Sequence, residues 1–176
     1  MHFTMFLIVL ISQLPQVLLL AQAQQREVHG INFNAVYRLS NSFAGTSKFL
    51  SVSDDDRGVD MADSSRSPKQ LWKLIRLNDS NKCRLVNLYA GEDKSLDVNE
   101  KGDYYSVVMG NTGDYSGQSW TLTHLGGGKY RLTNDYIGED KSLDIRKSGD
   151  QYSVVMGDTG DYSGQSWSLT KATQQE

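Results

Sequence analysis

Residues 84–123 read RLVNLYAGEDKSLDVNEKGDYYSVVMGNTGDYSGQSWTLT, and residues 131–170 read RLTNDYIGEDKSLDIRKSGDQYSVVMGDTGDYSGQSWSLT. The two stretches align at a constant offset of 47 without a gap, and 30 of 40 positions are identical. A period of this length marks an array or a closed symmetric fold, because one such unit cannot bury its own apolar face. A third, more diverged copy lies upstream. Tyr37-Arg38-Leu39-Ser40-Asn41 aligns with Tyr130-Arg131-Leu132-Thr133-Asn134, and residues 48–52 align with 141–145. Met61 falls where Met109 and Met156 fall, and Gln70-Leu71-Trp72 matches Gln118-Ser119-Trp120 and Gln165-Ser166-Trp167. The repeats cover about 35–78, 82–126 and 129–172.

Each copy holds four short runs of β character. They are 35–41, 48–53, 58–63 and 71–77 in copy one, and 84–89, 94–99, 105–110 and 119–125 in copy two. In copy three they are 130–135, 141–146, 152–157 and 166–171. Leu96/Val98, Leu143/Ile145 and Trp167/Leu169 alternate with polar residues, the period-2 pattern of half-buried strands. Gly, Asp, Asn and Ser fill the gaps, as in Gly91-Glu92-Asp93 and Gly126-Gly127-Gly128. No amphipathic helix is readable after the leader. Three copies of four strands fit a threefold trefoil, in which six strands close a barrel and three hairpins cap one end. A propeller needs at least about four blades. The fold class expected is therefore all-β, a β-trefoil of three four-stranded repeats with pseudo-threefold symmetry.

Residues 1–23 are apolar and end in Ala21-Gln22-Ala23, a small-x-small site ahead of Gln24, so they read as a secretory signal peptide. Gln13, Pro15 and Gln16 break the run short of the ~20 clean residues a membrane span needs. Residues 24–176 then form one secreted, extracellular trefoil domain with no membrane span. The formal net charge is −3, with no basic block, so nucleic acid is not expected as a partner. The single cysteine, Cys83, permits no internal disulfide and occupies the repeat position of Tyr37 and Tyr130, which points to a strand residue. Asn78-Asp79-Ser80 is a glycosylation sequon at an expected turn.

Three Gln-x-Trp tripeptides, each closing a copy of this length, make the chain resemble the ricin B-type β-trefoil lectin family. The resemblance covers essentially everything after the leader. It implies a non-catalytic, carbohydrate-binding module. In that family the sugar-binding carboxylate sits in a Leu-Asp-Val-like strand, which here is Asp97 and Asp144. The family's amide neighbourhood maps to Gly117/Gln118 and Gly164/Gln165. Copy one has Ser51 in place of the aspartate and is expected to be structural only. One departure stands out: the stacking aromatic of the family's third strand is replaced by Gly110 and Gly157. Tyr115 and Tyr162, in Gly-Asp-Tyr-Ser-Gly just ahead of Gln-x-Trp, are the candidate substitutes, with Tyr105 and Tyr152 behind them. The candidate carbohydrate-binding set is thus Asp97, Tyr115, Gln118, Asp144, Tyr162 and Gln165.

Other chemistry is weakly supported. His29 and His124 have no equivalents in the other copies, no nucleophile–base arrangement is readable, and no cofactor is implied. Asp54-Asp55-Asp56-Arg57-Gly58-Val59-Asp60 resembles a short calcium loop but lacks the EF-hand spacing, so no metal is assigned. Asp97 and Asp144 can alternatively hold turns through backbone N–H groups, and Lys94 and Lys141 are placed to pair with them. Two near-identical sites on one barrel would make the protein bivalent. The expected partners are glycans or glycoproteins, with self-association left open. The alternative is a structural or protein-binding extracellular trefoil module whose sugar sites are lost.

Overall fold

The computed structural model describes residues 27–172 except 29, 34, 79, 80 and 103. The expected leader, residues 1–23, and positions 79 and 80 of the sequon lie outside the described residues. Asn78 itself has φ 56°, the left-handed conformation that asparagine tolerates in turns. The chain divides into two units at residues 33 and 34. The first contributes a hairpin of β1 (Glu27–Val28) and β2 (Ile31–Asn32), turned at Gly30.

The second unit carries the three repeats. The first is β3 (Val36–Asn41), β4 (Gly45–Val52), β5 (Val59–Asp63) and β6 (Trp72–Arg76). The second is β7 (Lys82–Asn87), β8 (Lys94–Lys101), β9 (Tyr104–Asn111) and β10 (Trp120–Gly126). The third is β11 (Lys129–Asn134), β12 (Gly138–Ser148), β13 (Gln151–Asp158) and β14 (Trp167–Lys171). Most strand ends lie within two residues of the sequence expectation, and β4 and β12 each start three residues early. A single 3-10 turn precedes each tryptophan strand, at Pro68–Gln70, Ser116–Gln118 and Ser163–Gln165, where periodicity offered no signal.

Strand pairing closes a ring. The order β3-β6-β7-β10-β11-β14 returns to β3, every step antiparallel. Within a repeat, strands one and four share two residue pairs, as in Trp120↔Cys83 and Thr121↔Lys82. Between repeats the pairing runs much further, from Trp120↔Asn134 to Gly126↔Lys129. Closure leaves the barrel no open edge to recruit a foreign strand. The hairpins β4–β5, β8–β9 and β12–β13 meet one another through Ser153↔Asp60, Val155↔Ser106 and Gly58↔Val108. This is the expected trefoil.

The core repeats in threes. Leu39, Leu85 and Leu132 from the first strands and Leu50, Leu96 and Leu143 from the second have no accessible surface. Nor have Trp72, Trp120 and Trp167. Each indole removes 150–250 Å² from water, on the order of 4–6 kcal/mol of transfer free energy. A buried indole N–H needs an acceptor. Trp72, Trp120 and Trp167 donate to the carbonyls of Leu50, Leu96 and Leu143 at 2.9, 3.0 and 2.9 Å, which ties the fourth strand of each repeat to its second. Cys83 is fully buried, so its thiol is out of reach of a second chain, and burial pushes its pKa up.

Three asparagines join neighbouring repeats. Asn87 Nδ2 donates to the Lys69 carbonyl at 2.8 Å, Asn134 Nδ2 to Gly117 at 2.7 Å and Asn41 Nδ2 to Gly164 at 2.7 Å. Each Oδ1 accepts the backbone N–H two residues on, at Tyr89, Tyr136 and Phe43. The Asn41 bond joins the first repeat to the last. The same side chains fix the loop that carries Gln-x-Trp in the preceding repeat.

Candidate functional site

The loop between β9 and β10 has its backbone polar groups satisfied from three directions. Gln118, fully buried, donates to the Asn111 carbonyl at 2.7 Å and accepts from Gly113 N–H at 3.1 Å. Arg84 on β7 donates to the Gly113 carbonyl at 2.5 Å, and Asn134 holds Gly117 as described. In repeat three, Gln165 bonds the Asp158 carbonyl (2.7 Å) and Gly160 N–H (3.0 Å), and Arg131 donates to the Gly160 carbonyl at 2.6 Å. Loops held this way act as rigid mounts.

Asp97 projects from β8 into this mount. Its Oδ2 accepts from Gln118 Nε2 at 2.9 Å, and its Oδ1 from Val98 N–H at 2.8 Å. Asp144 repeats both contacts, with Gln165 Nε2 at 3.0 Å and Ile145 N–H at 2.7 Å. A carboxylate has about four acceptor sites, so two internal bonds leave capacity for hydroxyl donors. Both aspartates are half-buried. The two amide hydrogens of Gln118 go to Asp97 and Asn111, which puts the glutamine beneath the carboxylate as its orienting partner.

The glycines explain the missing aromatic. A Cβ on Gly110 would lie 2.3 Å from Asp97 Oδ2, and one on Gly117 would lie 2.2 Å from Oδ1. In repeat three, Gly157 and Gly164 stand in the same relation to Asp144, at 2.4 and 2.1 Å. The carboxylate is clamped between two bare α-carbons, and a side chain on the third strand would displace it. Repeat one shows the converse. Ser51 replaces the aspartate, Ala62 stands at the position of Gly110, and Lys69 replaces Gly117. The Lys69 ammonium pairs with Asp54 (3.4 Å) and Asp56 (3.5 Å) and stands 4.7 Å from the Tyr89 ring centre, filling the region that repeats two and three leave open.

Tyr115 and Asp97 line one cleft of about 650 Å³ with Asn99, Glu100, Asp114 and Tyr136. The Tyr115 ring packs on the Gly113 α-carbon, where a Cβ would meet Cε2 at 2.3 Å, and Tyr162 packs on Gly160 in the same way. Each tyrosine keeps its other face in solvent, at 61% and 62% exposure. Tyr136 was not singled out in the sequence. It arrives from the next repeat and meets Tyr105 edge to face at 6.3 Å, while its hydroxyl donates to Glu100 at 3.2 Å. The signal was present: Asn41-Ser42-Phe43, Asn87-Leu88-Tyr89 and Asn134-Asp135-Tyr136 all read Asn-x-aromatic.

The lysines do not take the aspartates. Lys94 bonds Asn111 Oδ1 at 2.7 Å, and Lys141 pairs with Asp158, whose carboxyl is held below its usual range by that hydrogen bond and the lysine charge. The Asp54–Asp60 segment is a tied turn: Ser53 Oγ donates to Asp55 at 2.6 Å, and Gly58 N–H donates to Ser53 Oγ at 3.0 Å. Among the described residues no three His, Cys, Asp or Glu side chains converge on a metal position. No described helix is long and apolar enough to cross a membrane.

No family model and no curated protein sequence matches the chain. Solved structures do. A designed threefold-symmetric protein, ThreeFoil, is 27% identical with a TM-score of 0.69, over 78% of this chain and 99% of that one. The Macrolepiota procera ricin B-like lectin, solved with lactose, is 16% identical with a TM-score of 0.65, over 81% of this chain and 99% of that one. The Polyporus squamosus lectin, solved with Neu5Aca2-6Galb1-4GlcNAc, is 15% identical with a TM-score of 0.65, over 80% of this chain but only 50% of its own. Several other matches are parts of longer chains, two glycosidases among them. Strand order, the threefold tryptophan core and these likenesses together make the chain a β-trefoil, the fold it shares with these ricin B-like lectins.

Proposed function

We infer that the protein is a secreted, non-catalytic, lectin-like protein with two sugar sites, one in each of repeats two and three. The observation that carries this reading is the twice-built clamp in which Asp97 or Asp144 lies between two glycines beside a solvent-facing tyrosine. A saccharide needs a fixed acceptor for vicinal hydroxyls and an apolar face for its ring, in a shallow site with few oriented polar groups. The clamped carboxylate supplies the first, and Tyr115 or Tyr162 supplies the second. Gln118 and Gln165 act by aiming the carboxylates. The two lectins of like fold were solved with saccharides, which supports the same class of ligand here. Catalysis would need a second group poised as acid or base beside the carboxylate. Glu100 bonds the Tyr136 hydroxyl, and Asp114, the other carboxylate lining the cleft beside Asp97, is an exposed loop side chain.

A second observation favours a structural role for the aspartates: both oxygens of each carboxylate already accept an internal bond. Isothermal titration against a panel of oligosaccharides separates the two readings. Heat of binding that is lost on Asp97→Ala and Asp144→Ala, with unfolding still cooperative, supports the lectin. Absence of any saccharide binding by the native chain leaves the structural module.

A further inference from the structure

The two sites are copies, yet two rim positions differ in charge: Asn99 and Glu100 in repeat two stand where repeat three has Arg146 and Lys147. Four of the ten differences between residues 84–123 and 131–170 fall consecutively, at Val98, Asn99, Glu100 and Lys101 against Ile145, Arg146, Lys147 and Ser148. Asn99 and Glu100 line the repeat-two cleft. Register puts Arg146 and Lys147 at the same places in repeat three. Asn99 and Glu100 pair with Ser106 and Tyr105 across β8–β9, and Arg146 and Lys147 pair with Ser153 and Tyr152 across β12–β13.

The exchange is supported by its surroundings. In repeat two, Tyr136 from the next repeat meets Tyr105 edge to face and offers its hydroxyl to Glu100. In repeat three the equivalent ring is Phe43, which meets Tyr152 edge to face at 6.1 Å and has no hydroxyl to offer. The residue beside it is then a cation: Lys147 Nζ stands 5.3 Å from the Tyr152 ring centre, within cation–π range. Donor with acceptor in one repeat, and bare ring with cation in the other, are two self-consistent arrangements of one frame. Arg146 adds a planar guanidinium, suited to bidentate bonds with carboxylate or sulfate. No cation lines the Asp97 cleft, whereas Asp144 is flanked by Arg146 and Lys147; the acid that repeat three gains where repeat two has Asn111, Asp158, is paired by Lys141 and lies within the field of Arg146.

Resting on the sugar-binding reading, we propose that the protein is heterobivalent: the Asp97 site takes a neutral saccharide, and the Asp144 site takes an acidic one whose carboxylate or sulfate lies against Arg146 and Lys147. Such a chain bridges two chemically different glycans instead of two copies of one.

The test is titration of the full chain with three probes: a neutral oligosaccharide, a uronate-bearing one and a sulfated one. The proteins are the native chain, Asp97→Ala, Asp144→Ala, both together, and Arg146→Asn with Lys147→Glu. Asp144→Ala is expected to weaken the acidic probes by roughly tenfold or more, the scale of one charge-assisted bond, and to leave the neutral probe unchanged. Asp97→Ala is expected to do the reverse. The rim exchange is expected to remove acidic binding, and with it the loss of acidic affinity at raised salt, while the second site gains the neutral probe. The uronate and sulfate arms separate the two sources of negative charge. Equal weakening of neutral and acidic probes by each single variant overturns heterobivalency while keeping the lectin. Failure of the native chain to bind any probe overturns the lectin reading, full binding by the double aspartate variant overturns the assignment of the sites to Asp97 and Asp144, and the proposal falls with either.

Discussion

Gly110 and Asp97 fit together so closely that a single methyl on the glycine would lie 2.3 Å from the aspartate Oδ2. The pair explains a feature that a family pattern alone reads as a defect. Where the resemblance leads to the expectation of an aromatic on the third strand, the chain presents bare backbone, because the carboxylate occupies the space.

This pairing predicts strong coupling. Gly110→Ala in the native chain is expected to cost about 1–3 kcal/mol through overpacking and to weaken saccharide binding. In an Asp97→Ser background, where the two positions then carry the Ser51 and Ala62 of repeat one, the same substitution should be close to neutral. A double-mutant cycle by urea unfolding reads the interaction directly. Additive costs would mean that the clamp is not the reason for the glycine.

The inter-repeat asparagines should be energetically costly to lose. Asn134→Ala leaves the Gly117 carbonyl and the Tyr136 N–H without their partners, which costs about 1–3 kcal/mol for each buried group left unpaired. Asn41→Ala should be similar, since it severs the bond that joins the first repeat to the last. Chemical denaturation checks both, and a loss below a few tenths of a kcal/mol at either would mean that these bonds do not hold the repeats together.

Tyr115 and Tyr162 should tolerate loss of the hydroxyl but not of the ring. Tyr115→Phe with Tyr162→Phe is expected to hold saccharide affinity within about threefold. The paired alanine variant is expected to lose about tenfold or more, from removal of an aromatic face worth about 1–2 kcal/mol. Fluorescence or calorimetric titration distinguishes the two. Equal behaviour of the Phe and Ala pairs would take the rings out of the site.

Asp60 gives a pH signature. Burial in the groove between the first and third hairpins, with help from Asp54 and Asp55, raises its pKa above the ordinary 3.8. The folded state therefore prefers the protonated acid. Its contribution is fully present below the unfolded value of 3.8 and is lost as pH rises through the raised folded value. Asp60→Asn should stabilise the protein at neutral pH and make little difference near pH 3. Thermal melts at the two pH values measure it, and a variant less stable than native at neutral pH contradicts the assignment.

Much of the trefoil was legible because its causes are repeated: three Gln-x-Trp tripeptides, two leucine triads and glycine-rich turns at a fixed period. The 3-10 turns ahead of each tryptophan were not, since three residues carry no periodicity. In the site, Asp97, Tyr115 and Gln118 could be picked out by phase within the repeat. Tyr136 could not, because it belongs to the next repeat in sequence and reaches the cleft only when Asn134 folds the chain back over it. The meaning of Gly110 and Gly157 was hidden for the same reason: a glycine shows its purpose only through what fills the space beside it. Lys94 and Lys141 pointed toward the aspartates in sequence, but cross-strand register hands them to Asn111 and Asp158 instead.

The most direct measurement is saccharide binding by the native chain beside Asp97→Ala with Asp144→Ala, on a glycan array with unfolding followed in parallel. The account predicts binding by the native chain and none by the double variant, with cooperative unfolding retained in both. Undiminished binding by the double variant, or no binding by the native chain to any glycan, would contradict it.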